Sequence, residues 1–285
     1  MTVKGAGTAL HVHEWGTGDP VVAIHGISAS HLAWAGVARH LPDRRLIAPD
    51  LRGRGASSDL AGPFGMRQHA DDIVAVLDDL GLDRVPLVGH SMGAFVALVT
   101  AHRHPDRVTS LLLVDGGLPL ELPEGYSLES VGELLGPAAA RLTMEFPDRE
   151  AYREFWRAHP AFANEWTPDL DAYVDYDLSG AEPHLRSRTS GEAMRADQLE
   201  LYGGVAVVDA IEQLAHPATL LWAPRGLQDE TPGLYPPAVI ERWHHSLIEL
   251  RRDLLTEEVP ETNHYTILMT EPGASVVAEK IRQLV

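Results

Sequence analysis

The chain has 285 residues, 45% of them hydrophobic, with 41 acidic against 23 basic side chains, a net charge of −18 and no cysteine. That length and apolar content can bury a sizeable core, which excludes disordered and fibrous classes. Without cysteine there is no disulfide, thiolate nucleophile, zinc–thiolate site or iron–sulfur cluster, and an acidic chain without a Lys/Arg block repels phosphate backbones and anionic head groups.

Neither nucleic acid nor a membrane is therefore expected as a partner. Residues 1–8 lack the apolar stretch of a secretory signal, and no apolar run reaches the ~20 residues of a membrane span, so a cytoplasmic location is the expectation.

Along the chain, residues 9–15 are polar at alternate positions and predict an antiparallel edge strand. His11 and His13 share one face of it at i, i+2 and read as exposed strand residues rather than a metal pair. Short apolar runs at 20–24, 46–48, 85–88, 111–114 and 219–222 predict buried strands, and helices are predicted at 31–39, 66–80 and 92–103. In the second helix Ile73, Val74, Leu77 and Leu80 keep helical spacing and Gly81 is the stop signal. Strand and helix alternating in this way predict an α/β fold, a mostly parallel sheet with helices on both faces.

From 118 to 205 the rhythm breaks, which predicts an insertion into a core formed by 1–117 and 206–285. The insertion holds ten of the 18 aromatic residues, among them Phe146, Tyr152, Phe155, Trp156, Phe162, Trp166, Tyr173 and Tyr176, and 17 acidic against seven basic side chains. Its aromatics either line an apolar pocket or form a core of their own. Beyond it come a helix at 206–215, the Thr219 strand, a surface helix with His244 and His245, a strand ending at Val259 and a final helix.

The most informative stretch is Leu87-Val88-Gly89-His90-Ser91-Met92-Gly93, an apolar strand running through G-x-S-x-G into the helix-forming Ala94-Phe95-Val96. A turn this tight strains the serine backbone and leaves no room for side chains two residues either side, hence Gly89 and Gly93. It lifts the Ser91 hydroxyl above the sheet at a helix N-terminus whose N–H groups can hold an anion. Ile24-His25-Gly26-Ile27 follows the first buried strand, where a second amide is wanted, so Ile27 and Met92 are the expected oxyanion-hole donors. Pro49-Asp50-Leu51-Arg52-Gly53-Arg54-Gly55 reads as a structural turn with a buried Asp–Arg arrangement, and its G-x-G is not a nucleotide loop.

Taken together, His25-Gly26, Asp50 to Gly55, Gly89 to Gly93 and Asn263-His264-Tyr265 resemble the α/β-hydrolase superfamily over nearly the whole chain except the insertion. The resemblance implies that the insertion is a mainly helical cap over the active site, that nucleophile, acid and histidine follow in that order, and that no cofactor or metal is needed. His264 lies where the family keeps its histidine, and a serine needs such a base within hydrogen-bond reach. Asp229, in Gly226-Leu227-Gln228-Asp229, has the family's G-x-x-D spacing but begins three residues late. It is preferred as the acid, with Asp115 at the end of the Leu111 to Val114 strand as rival. Gly26, His25, His90 and Trp156 are expected beside the site, while Arg52, Arg54 and Trp34 either touch substrate or only pack.

These residues imply a serine hydrolase that cleaves a neutral, hydrophobic carboxylic ester or lactone, a small-molecule substrate, through an acyl-enzyme. Serine in place of an elbow aspartate argues against epoxide hydrolases and haloalkane dehalogenases. Carbon–carbon bond hydrolysis, cofactor-free perhydrolase or haloperoxidase chemistry, and a slow-turnover ligand receptor stay open as alternatives.

Overall fold

The protein is described by a computed structural model covering residues 9–122, 125–127, 130 and 134–284. Its first half alternates strand and helix: β1 Val12–Trp15, β2 Asp19–Ile24, α1 Ala35–Arg39, β3 Arg44–Pro49, α2 Met66–Asp79, β4 Val85–His90, α3 Met92–Arg103 and β5 Val108–Val114. A second group follows, comprising α4 Pro137–Ala140, α5 Arg149–Arg157, α6 Pro168–Tyr176, β6 Leu178–Ala181, β7 His184–Ser187 and α7 Gly191–Leu201. The chain ends with α8 Val205–Glu212, β8 Ala218–Trp222, α9 Pro237–Glu249, β9 Leu255–Glu258, α10 Thr266–Met269 and α11 Gly273–Gln283.

Seven strands form one sheet in the order β1-β3-β2-β4-β5-β8-β9. Only β1 runs antiparallel, with Val12 opposite Pro49 and Trp15 opposite Leu46. The central strands are buried on both faces, which is why Val21–Ile24, Val85–Val88 and Leu111–Val114 are continuous apolar runs rather than alternating ones. One apolar layer joins α2, α3 and α8 to the sheet, and the other joins α1, α10 and α11 to its opposite face.

The elements from α4 to α7 lie between β5 and β8, and most of their buried side chains continue the apolar layer of α1, α10 and α11. Phe146, Tyr152, Trp156, Phe162, Leu170, Tyr173 and Leu185 are buried there, with aromatic rings meeting edge to face. Besides helices, this group holds the β6–β7 hairpin, with Ala181 opposite His184, which the residue pattern does not announce. Among the described residues, no helix is long and apolar enough to cross a membrane.

Candidate active site

Ser91 stands between β4 and α3 with φ 54° and ψ −126°, a conformation costly for a residue with a side chain. The glycines around it make the turn possible: a Cβ on Gly93 would lie 2.0 Å from the Ile24 carbonyl oxygen, and one on Gly89 would lie 2.1 Å from that of Gly93. The Ser91 hydroxyl lies 3.0 Å from Nε2 of His264, and Nδ1 of His264 lies 2.6 Å from Oδ2 of Asp115. Because Asp115 accepts from Nδ1–H, the tautomer is set and Nε2 is left to accept the serine proton.

Asp229, the preferred acid on spacing, does not reach the histidine. Its carboxylate pairs with Arg225 Nη1 at 3.0 Å and accepts from Asn263 Nδ2 at 2.9 Å. The three extra residues after β8 carry it past the imidazole, and Asp115 fills the place from the neighbouring strand. Asp115 is fully buried, at φ 44°, and its Oδ1 also accepts from the Ala223 amide at 3.0 Å. The late loop instead steadies the histidine from outside: Asn263 Oδ1 accepts from the amides of Tyr265 and Thr266, and Arg225 donates to the carbonyls of Glu261 and Thr262.

Ile27 and Met92 lie beside Ser91 as expected, and neither amide has an acceptor among the described residues. Met92 is the first residue of α3, so its N–H is one of the helix's free donors. Gly26 allows the approach, since a Cβ there would stand 3.2 Å from Ser91 Cβ. His25 staples this loop from behind, donating through Nδ1 to the Gly26 carbonyl at 2.7 Å and accepting at Nε2 from the Leu51 amide at 2.9 Å. His90 donates through Nε2 to the His264 carbonyl at 2.8 Å, and its buried Nδ1 has no hydrogen-bond partner among the described residues. Burial lowers the pKa of His25 to about 4, and burial together with the neighbouring His264 lowers that of His90 to about 3, so both are neutral at pH 7.

Two guanidiniums tie the inserted elements to the loop after β2, and residue patterns do not single out this role. Fully buried Arg54 pairs with Asp197 of α7 at 2.6 Å and donates through Nε to the Ile27 carbonyl at 2.8 Å. Arg141 pairs with Asp177 at 3.1 Å and donates to the Ser28 carbonyl at 2.8 Å. The signal available was two arginines in otherwise apolar surroundings, which burial permits only when they are paired.

Other expectations change. Trp156 does not border the Ser91 chamber; it is buried in the inserted core beneath the Arg141 guanidinium, 5.1 Å from its ring centroid. Trp34 is likewise buried packing, and among the inserted aromatics only Tyr173 borders the chamber. Most of the others pack on one another in a layer continuous with that of α1, α10 and α11. The turn at Asp50 does carry buried Asp–Arg pairs, but its arginines reach Asp72 and Asp197 rather than Asp50, which accepts from the His31 amide, His31 Nδ1, the Ala56 amide and the Tyr176 hydroxyl, at 2.8, 2.9, 2.9 and 2.6 Å. Arg52 pairs instead with Asp72 at 2.8 Å.

Rather than being exposed, His11 and His13 are half-buried against His31, with ring centroids 5.4 and 4.9 Å from it. Donor atoms of His11, His31 and Asp50 lie within 4.8 Å of one another, but all four lone-pair directions of the Asp50 carboxylate are already taken. The cluster is a hydrogen-bonded packing node. His244 and His245 lie on α9, and His245 is exposed.

A family model described as alpha/beta hydrolase fold matches residues 19–136. The solved structure of E-2-(acetamidomethylene)succinate hydrolase superposes with a TM-score of 0.78 at 23% identity, covering 97% of this chain and 94% of that one. The chain has the α/β-hydrolase fold. It is 38% identical to Lipase LipV of Mycobacterium tuberculosis over 178 residues, which is 59% of this chain and 62% of that one. It is 37% identical to 2-hydroxy-6-oxo-2,4-heptadienoate hydrolase of Pseudomonas putida over 129 residues, 43% of this chain and 47% of the relative. The matches thus span about three-fifths and about half of these two relatives' lengths.

Proposed function

We propose that the protein is a serine hydrolase acting on a neutral, hydrophobic carboxylic ester or lactone. The observation that carries this reading is the continuous hydrogen-bonded line from Ser91 Oγ through His264 to Asp115, ending beside two free amides. In the acylation step Ser91 Oγ bonds to the carbonyl carbon while its proton passes to His264 Nε2. Asp115 stabilises the imidazolium, and the Ile27 and Met92 amides hold the oxyanion. When the tetrahedral intermediate collapses, the bond to the alkoxy oxygen breaks and His264 returns the proton to it. A water activated by the same imidazole then releases the acid and restores Ser91.

The α4–α7 elements act as a cap. The chamber above Ser91 is only about 30 Å³, room for water rather than for an ester, so substrate entry moves side chains at its edge. The net charge of −18 disfavours anionic substrates. The test is intact-mass analysis after incubation with a fluorophosphonate: one adduct mapping to Ser91 and absent from Ser91→Ala supports the reading. No adduct on folded protein removes it and favours a ligand receptor.

Carbon–carbon hydrolysis of a vinylogous diketone is a second reading, favoured by the similarity to 2-hydroxy-6-oxo-2,4-heptadienoate hydrolase. Turnover of such a dienoate with no turnover of simple esters would select it.

A further inference from the structure

The chamber over Ser91 shares a wall with a second, larger cavity. Leu227 borders both, while Leu135 faces the small chamber and its neighbour Leu134 faces the large one. The partition is thus two short pieces of chain, Leu227-Gln228 from the loop after β8 and Leu134-Leu135-Gly136 from the insertion. They touch, since a Cβ on Gly136 would lie 3.0 Å from Gln228 Nε2.

The second cavity encloses about 400 Å³, within the range of small-molecule sites and many times the Ser91 chamber. Its walls are mostly apolar, built by Leu120, Leu134, Leu234, Val239 and the ring of Tyr235. Exposed carboxylates of Glu121 and Glu230 stand at its border and oppose an anionic tail.

We propose that this cavity takes the longer apolar arm of the ester and that Leu227 is the partition displaced when substrate binds. The proposal rests on the ester-hydrolase reading of Ser91. Leu227 is suited to move: it is half-buried, lies outside helix and strand, and makes no backbone hydrogen bond. Gly226 and Asp229 each donate one and the Gln228 amide donates to the Glu230 carboxylate, so the loop holds its course while this side chain changes rotamer. A chain threaded past Leu227 leaves the scissile carbonyl at Ser91 and exchanges water for apolar wall along its length, so each added methylene favours binding. The predicted substrate class is a neutral ester with one extended hydrocarbon arm.

The experiment measures kcat/KM for two series, p-nitrophenyl esters from acetate to dodecanoate and alkyl acetates from ethyl to dodecyl, so that acyl and alcohol arms are told apart. In the wild type, kcat/KM rises along one of the two series. Val239→Trp, filling the far end of the cavity, lowers the long-to-short ratio in that series about tenfold or more. Leu227→Ala opens the partition and raises the same ratio, an independent readout should the tryptophan variant fold poorly. Fluorophosphonate labelling of Ser91 together with ratios unmoved by both variants in both series overturns the cavity assignment and leaves the hydrolase reading standing. If Ser91 is not labelled and no ester turns over, the hydrolase reading has failed and takes this inference with it.

Discussion

Arg54 holds the carbonyl of Ile27 at 2.8 Å while pairing with Asp197 of the inserted helix α7. One buried guanidinium therefore holds the carbonyl side of Ile27, the residue whose amide is the proposed oxyanion donor, and ties α7 to the loop after β2. Arg54→Met should cost about 3–5 kcal/mol of stability, because the buried Asp197 carboxylate loses its guanidinium and keeps only His69 and the Gly65 amide as partners. The double variant Arg54→Met/Asp197→Leu restores most of that stability but leaves ester kcat about tenfold or more below wild type, since the carbonyl side of Ile27 is no longer held and its amide is less firmly placed. Urea midpoints and kcat, measured on both, separate the two effects; full recovery of kcat in the double variant would refute the positioning role.

Asp115 and Asp229 make opposite predictions. Asp115→Asn should lower kcat on the order of 10⁴-fold with the fold intact, because the amide presents the wrong partner to His264 Nδ1. Asp229→Asn removes an ion pair at the histidine loop and should lower kcat by about tenfold or less. A larger loss for Asp229→Asn than for Asp115→Asn in steady-state ester assays contradicts the assignment.

The buried histidines make stability fall with acid. Burial lowers His90 from 6.5 to about 3 and His25 from 6.5 to about 4. Between those values the unfolded chain binds protons that the folded chain does not. Their contribution is thus complete above pH 6.5 and drains away as the pH drops toward 4, at up to about 1.4 kcal/mol per pH unit for each histidine. Denaturation at pH 7 and pH 5 should show the loss, and His90→Gln should flatten it; equal stability at the two pH values would contradict the burial argument.

Tyr176 reaches from α6 to give Asp50 one of its four hydrogen bonds, at 2.6 Å. Burial alone would raise the Asp50 pKa, but the hydrogen bond and charge of His31 and the Tyr176 hydroxyl hold it well below the ordinary carboxylate range. Tyr176→Phe should therefore lower stability by about 1–3 kcal/mol. A urea midpoint indistinguishable from wild type would show that this contact contributes nothing to joining α6 to the loop after β3.

How far the residues foretold this arrangement depends on how local each signal was. The strands and the α2 and α3 helices were legible because burial on both faces demands unbroken apolar runs and amphipathic helices repeat every turn. The elbow was legible because Gly89 and Gly93 answer a steric demand within five residues of chain. The acid was not, since spacing pointed to Asp229 whereas pairing across β5 and β8 put Asp115 beneath His264. Arg54, Arg141 and the hairpin at 178–187 depend on partners far away in sequence, which no window of residues displays. The aromatics of the insertion signalled its existence but not that most of them face one another.

With Asp115 at the end of β5 and Ser91 at the end of β4, the acid and the nucleophile ride on two hydrogen-bonded neighbours of one rigid sheet. The loop after β8 is thereby relieved of presenting an acid. It can lengthen, change its turn or exchange Leu227 for another side chain without shifting the carboxylate. A protein built this way has separated the part of its site that must stay constant from the part that can drift, so new substrates can be reached by loop exchange alone.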